Sequence, residues 1–368
     1  MRFQLIQYIE FDELNVAHPN ARCRIKCGTV RLRLRWLHKM YVNSIGKRRV
    51  FQRWSLSCCI LGALSFLAST SARTETSLRH ASFKRFRSTE LDLSGLQPAL
   101  SASQQMMRNR NFVYVMFLNS AYISFAKSWV CNIQAIDAKV LQGTIFFTDS
   151  QHTSAALLES DNRLHVYTVP VDTPGELEYG HYDYYALTLH RLRIQEALLA
   201  NRINVMLIEA DAVWLKKTID SQLVDLFYKY EIISADNHNY ADDKVEISAG
   251  FSGYKASRKV RGVFKRYVQR YDNQLKIFEN VTGFIGNVGE QVLLTQILVD
   301  ENIRVHWLNT CEYASGAWYN METYQQRCPL NTIKVLQNNY IVGNQAKVAR
   351  ARKWHHWFLN EKKCYVGD

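Results

Sequence analysis

The stretch Ile203-Asn204-Val205-Met206-Leu207-Ile208 reads as a buried strand and runs, with no turn signal, into Glu209-Ala210-Asp211. No other feature constrains the chain as much. The residues before it repeat the pattern. Strand patterns at 112–118, 143–148 and 164–169 are followed by helix patterns at 121–134, 152–159 and 184–200. Such alternation predicts an α/β domain, with a mostly parallel central sheet and helices on both faces. In these sheets ligands sit beyond the carboxyl ends of the strands. Asn119, Asp149, Glu209 and Asp211 all fall at that edge. No G-x-G-x-x-G follows the first strand, and G-x-x-x-x-G-K-[ST] occurs nowhere. A nicotinamide-binding domain and a P-loop ATPase are therefore disfavoured.

The net charge of +13 would suggest a nucleic-acid partner if it were spread over the folded part. It is not. Residues 1–53 hold 12 Lys and Arg against 3 Asp and Glu, residues 54–110 hold 7 against 3, and residues 111–368 hold 27 of each. A neutral body is a poor binder of phosphate backbones, so no nucleic-acid partner is expected. That body is 111–368, and a chain 47% hydrophobic can give it a sizeable core.

Residues 54–72 are 19 positions without a charge, just behind Lys47, Arg48, Arg49 and Arg53. About 20 apolar residues span a bilayer, and positive flanks stay in the cytosol. The reading is a basic cytoplasmic arm at 1–53, a transmembrane signal anchor at 54–72, a flexible stem at 73–110 and a lumenal domain at 111–368. A cleaved signal peptide ending at Thr70-Ser71-Ala72 is the alternative, and Met40 is an alternative start. Cys131, Cys311, Cys328 and Cys364 allow two lumenal disulfides in three connectivities, with Cys311–Cys328 the expected pair. Asn280-Val281-Thr282 is a glycosylation sequon.

Side chains at i and i+2 of a strand point the same way, about 6 to 7 Å apart. Glu209 and Asp211 can therefore converge on one hard cation, Mn2+ or Mg2+, which takes carboxylates together with substrate phosphates. Such a cation neutralises the charge that builds on a departing diphosphate. Trp214, just after the acids, is expected to be buried and to fix the turn.

These residues resemble the nucleotide-diphospho-sugar transferase family, in particular glycosyltransferase family 77, the relatives of plant cell-wall xylosyl- and arabinosyltransferases. The landmark is Glu209-Ala210-Asp211-Ala212-Val213-Trp214-Leu215. Further similar stretches are Leu118-Asn119-Ser120-Ala121-Tyr122, Phe147-Thr148-Asp149, Ser248-Ala249-Gly250-Phe251, Glu290-Gln291-Val292-Leu293-Leu294 and Asn338-Asn339-Tyr340-Ile341-Val342-Gly343. The resemblance implies a GT-A fold, a Golgi type II topology, a UDP-sugar donor, a glycan or glycoprotein acceptor and retention of anomeric configuration. It makes Glu209 and Asp211 the catalytic and metal-binding acids, and sets Asn119 and Asp149 against the nucleoside. It aims Arg191 or Arg193 at the phosphates or sugar, one of the two being a solvated helix charge. Gln291 falls at the family's acid-Gln helix start. Gly250 either admits the sugar or marks a strand bulge. Lys347 and Arg350 either clamp the diphosphate or form an exposed basic face. Gln337 stands where the family has a histidine, and its amide oxygen is the expected third metal ligand. The alternative function is a lumenal sugar-nucleotide-binding relative without turnover.

Overall fold

The computed structural model describes residues 93–171, 175–237, 245–286, 288–360 and 363–364, all within the compact unit Lys84–Asp368. The arm, the 54–72 anchor and the first part of the stem lie outside them. No helix among the described residues is long and apolar enough to cross a membrane.

The strands are β1 (Val113–Leu118), β2 (Thr144–Thr148), β3 (His165–Thr168), β4 (Val205–Ile208), β5 (Val213–Trp214), β6 (Ile232–Asp236), β7 (Ile247–Tyr254), β8 (His306–Trp307), β9 (Tyr313–Ala314), β10 (Val335–Leu336), β11 (Leu359–Asn360) and β12 (Lys363–Cys364). Seven form the central sheet in the order β3-β2-β1-β4-β7-β6-β8. Only β7 runs against its neighbours in it; the other pairings are parallel, as the alternating pattern requires. The main helices are α1 (Gln97–Asn109), α2 (Ile123–Asp137), α3 (Gln151–Leu158), α4 (Tyr182–Ala200), α5 (Ile219–Lys229), α6 (Arg258–Lys276), α7 (Glu290–Asp300) and α8 (Asn344–Lys353).

Alternation along β1 explains the layers. Val113 and Val115 face one side, where they join Leu189 and Leu192 of α4, Val263 and Tyr267 of α6 and Leu294 of α7. Tyr114, Met116 and Leu118 face the other, with Phe125 and Trp129 of α2 and Leu223 and Phe227 of α5. α6 shows why a helix forms here. Ser257 caps it by accepting the Val260 N–H, and Val260, Val263, Phe264, Tyr267, Tyr271 and Leu275 make one buried stripe.

The end of the expected stem is folded. α1 buries Ala99, Leu100 and Ser103 against the core, and its Met107 sulfur receives the Asn204 N–H. The signal was present: Pro98 at the helix start, then apolar residues recurring every three or four positions. Two disulfides close the C-terminal part, the expected Cys311–Cys328 and Cys131–Cys364, with Cα separations of 4.8 and 5.2 Å.

Candidate active site

β4 stops at Ile208, and Glu209 to Asp211 form the turn beyond it, closed by Ala212 N–H donating to Glu209 O at 3.2 Å. The acids therefore project from a turn rather than from extended strand. Two registers surround this turn with partners remote in sequence. β7 pairs with β4 at Ile208↔Phe251, which carries Gly250 up beside Glu209. β10 pairs with β5 at Leu336↔Val213, which carries Gln337 up beside the same turn. The turn is anchored from below by Trp214, which is 1% exposed. The Asn132 side chain of α2 donates to Trp214 O at 3.0 Å and accepts from Trp214 N at 2.8 Å, in the manner of a neighbouring strand.

Above the turn lies an open cleft of about 270 Å³. Glu209, Asp211, Gln337, Glu290, Arg191 and Lys347 all line it. Lys347 of α8 sits on Asp211, Nζ to Oδ2 at 2.5 Å, with Asp211 3% and Lys347 15% exposed at the side chain. Arg191 of α4 bridges two acids, 3.5 Å from Glu209 Oε1 and 3.5 Å from Glu290 Oε1. Burial, then the neighbouring Asp211 charge, push the Glu209 carboxyl above its ordinary pKa. Burial works against the Lys347 ammonium, but the Asp211 carboxylate outweighs it and holds that pKa above the usual lysine range.

At the other end of the cleft, Asn119 donates to Gly175 O at 2.9 Å, while its buried Oδ1 has no hydrogen-bond partner among the described residues. Asp149 accepts from Ser120 N–H at 3.3 Å, Ser150 Oγ at 3.1 Å and Thr153 Oγ1 at 2.6 Å. Phe117, Val169, Val171 and Leu177 give this end an apolar wall, suited to the flat face of a nucleoside.

Most expected residues meet here, with three corrections. Arg193 turns away from the cleft to Asp272 of α6, 3.3 Å off, because residues two apart on a helix face different sides. Arg350 is neither clamp nor exposed face. It is buried and holds the Asn338-Asn339 turn, donating to Asn338 Oδ1 at 2.7 Å and Asn339 O at 2.6 Å. Gly250 leaves room for protein rather than sugar: a Cβ there would run into the Glu209 carboxylate and meet Gln337 Oε1 at 3.0 Å. Gln291 lines the cleft and accepts from Asn237 at 2.8 Å. Tyr122, Tyr184, Ser248 and Asn339 line it too; the sequence assigned them no role, although all but Tyr184 stand in the family-like stretches. Tyr184 stands seven residues before Arg191, hence on its face of α4, and Ser248 two before Gly250 in a strand. Those spacings were available signals.

No group of three or more His, Cys, Asp and Glu side chains among the described residues is placed to hold a metal. A set of two carboxylates and an amide oxygen is nevertheless the donor chemistry of Mn2+ or Mg2+. The Glu209 carboxylate and Gln337 Oε1 converge on the point that a Cβ of Gly250 would occupy, so these two oxygens suit such an ion. Ser248 Oγ and Asn339 Nδ2, at 3.1 and 3.5 Å, hold Gln337 Oε1 in place.

No curated protein sequence matches the chain. Among solved structures, mouse xyloside xylosyltransferase 1 in its apo form gives a TM-score of 0.42 at 12% identity, over 62% of this chain and 98% of that one. The galactosyltransferase LgtC, in complex with donor and acceptor sugar analogues, gives 0.39 at 11%, over 66% and 96%. Core-mannan synthase A of Aspergillus fumigatus, in its Mn/GDP form, gives 0.33 at 10%, over 54% and 72%. The profile of the family described as nucleotide-diphospho-sugar transferase matches residues 144–351, a span that holds both acids, Gln337 and Lys347. More than half of the chain thus carries the family's pattern: it belongs to the nucleotide-diphospho-sugar transferases and is a glycosyltransferase.

Proposed function

We propose that the chain is a Golgi membrane protein of type II topology that transfers a sugar from a UDP-sugar to a glycan or glycoprotein acceptor, with retention of configuration. In this reading Glu209, Asp211 and Gln337 hold Mn2+ or Mg2+. The observation that carries it is that Glu209 and Asp211 line one cleft together with Lys347, whose ammonium pairs with Asp211.

Charge supports a cation. At this end of the cleft three carboxylates, Glu209, Asp211 and Glu290, stand against Lys347 and Arg191 and leave about one negative charge, and a nucleotide-sugar diphosphate adds about two more. A divalent ion returns the total to about one negative charge. When bound, it also neutralises the departing diphosphate. Around it the side chains divide the work. Asn119 Oδ1 and the apolar wall receive the nucleoside. Lys347 faces the diphosphate. Arg191 holds Glu209 and Glu290 in position from behind, and Glu290 and Gln291 open the α7 wall to sugar hydroxyls. Glu209, Asp211 and Glu290 are each paired with a cation, which blunts them as nucleophiles and favours front-face attack by the acceptor hydroxyl.

Two disulfides favour an oxidising compartment, and Asn280 of the sequon lies exposed just after α6. The test is hydrolysis and transfer with a panel of UDP- and GDP-sugars and Mn2+, using the full chain in membranes washed with alkaline carbonate. Asp211→Ala should lose on the order of 10²–10³-fold, the scale of removing one electrostatic stabiliser of a transition state. Equal rates in both proteins would leave the second reading, a donor-binding relative without turnover, for which Gln337 in place of histidine speaks. Activity released by the carbonate wash would sink the anchor.

A further inference from the structure

The turn after α6 holds apolar surface out in water. Ile277, Val281 and Phe284 are 74%, 43% and 69% exposed. No other stretch of similar length among the described residues exposes three large apolar side chains. Phe278, between them, is only half-buried and packs on the core from one side. Val281 N–H donates to Phe278 O at 2.9 Å and closes a turn whose third residue is Asn280. The ends of such a turn lie within about 7 Å, so Asn280 stays close to Phe278. Asn280 and Thr282 are both exposed. An exposed apolar patch calls for something that covers it. This one has an Asn-x-Thr triplet at its centre, the acceptor pattern for a bulky, solubilising carbohydrate. The first sugar of such a glycan carries a flat face of C–H groups. That face can lie on the negative face of an aromatic ring while the hydroxyls stay in water.

Resting on the lumenal reading of the domain, we propose that Asn280 carries an N-linked glycan whose first sugar lies on the Phe278 ring and shields Ile277 and Val281. Carbohydrate then completes the surface of this turn. In the attachment the Asn280 amide nitrogen bonds to the anomeric carbon of a lipid-diphosphate-linked oligosaccharide. The bond from that carbon to the diphosphate oxygen breaks. The lipid diphosphate leaves and takes up the proton the amide gives off. The donor and the enzyme that uses it belong to the host's secretory pathway.

The test expresses the full chain in a eukaryotic host. Protease treatment of intact microsomes reads the topology, gel mobility with and without peptide-N-glycosidase reads the glycan, and thermal melts of the purified chain read its packing. The wild-type domain should resist protease and run one glycan faster after the glycosidase. Thr282→Val destroys the triplet and keeps Asn280. It should run at the faster position untreated and melt about 2 °C or more below wild type. Phe278→Leu keeps an apolar contact with the core but offers no ring. It should still be glycosylated, and adding Thr282→Val to it should lower the melt by less than half as much, the signature of a coupled pair. The proposal is overturned if the domain is protected from protease yet carries no glycan at Asn280. It is also overturned if Thr282→Val costs the same with and without the ring, or costs nothing in either. A domain digested in intact microsomes strikes the lumenal reading itself, and the proposal with it.

Discussion

Around Glu209 and Asp211 the contacts are ionic: Arg191 spans Glu209 and Glu290, and Lys347 closes on Asp211. One layer down, around Trp214, they are neutral. The Asn132 amide pairs with the Trp214 backbone, and Tyr114, Trp129 and Phe251 meet the indole edge-on at 5.6, 6.1 and 6.2 Å. The indole N–H has no acceptor among the described residues, so packing alone holds the ring. The difference teaches how two acids are kept on a cleft floor. Buried carboxylates cost free energy even when paired, so the ion pairs balance charge while the apolar layer fixes position.

The first way to break this comparison is Trp214→Ala. If the lower layer supplies the stability, this variant should lose about 3–5 kcal/mol in denaturant unfolding, the usual range for emptying a buried Trp site. A loss under about 1 kcal/mol with activity abolished would mean the ring serves the chemistry directly.

The second concerns pH. His190, buried on the cleft side of α4, has its pKa lowered to about 4, first by burial and then by Arg193. Below pH 6.5 the unfolded chain takes up a proton that the folded protein refuses. Stability should therefore fall as pH drops from about 6.5 to about 4, by up to about 3 kcal/mol for this residue. His190→Gln should remove its share of that slope. His356, near Tyr319 and likewise held at about 4, should keep a similar slope in the variant. An unchanged slope in urea midpoints measured from pH 7 to 4 would discharge His190 from this role.

The smallest effect sharpens the comparison most. Gly250→Ala pushes on the flexible end of Glu209, so folding should lose only about 1 kcal/mol. Turnover should nevertheless fall about tenfold, or about 1.4 kcal/mol of barrier, because Glu209 and Gln337 are displaced. A variant that loses stability but keeps full turnover would refute the assignment of Gly250 to the site.

By itself the sequence determined the layers and the edge. Period-two and period-3.6 apolar patterns are local properties, so β1 to β4 and the helices between them were readable residue by residue. So were the acids at the end of β4, because a strand end is defined by its neighbours in the chain. The burial of Trp214 and the Cys311–Cys328 pair followed from the same short-range logic. α1 was also written locally, in Pro98 and its apolar spacing, and was passed over for the polar residues around it.

Only the tertiary structure decided which distant residues stand beside those acids. Gly250 owes its place to the register of β7 on β4, Gln337 to that of β10 on β5, and Lys347 to the docking of α8. It also decided that Arg193 and Arg350 would serve the scaffold. Register and docking are set by long-range packing of whole faces, and no window of sequence contains that energy.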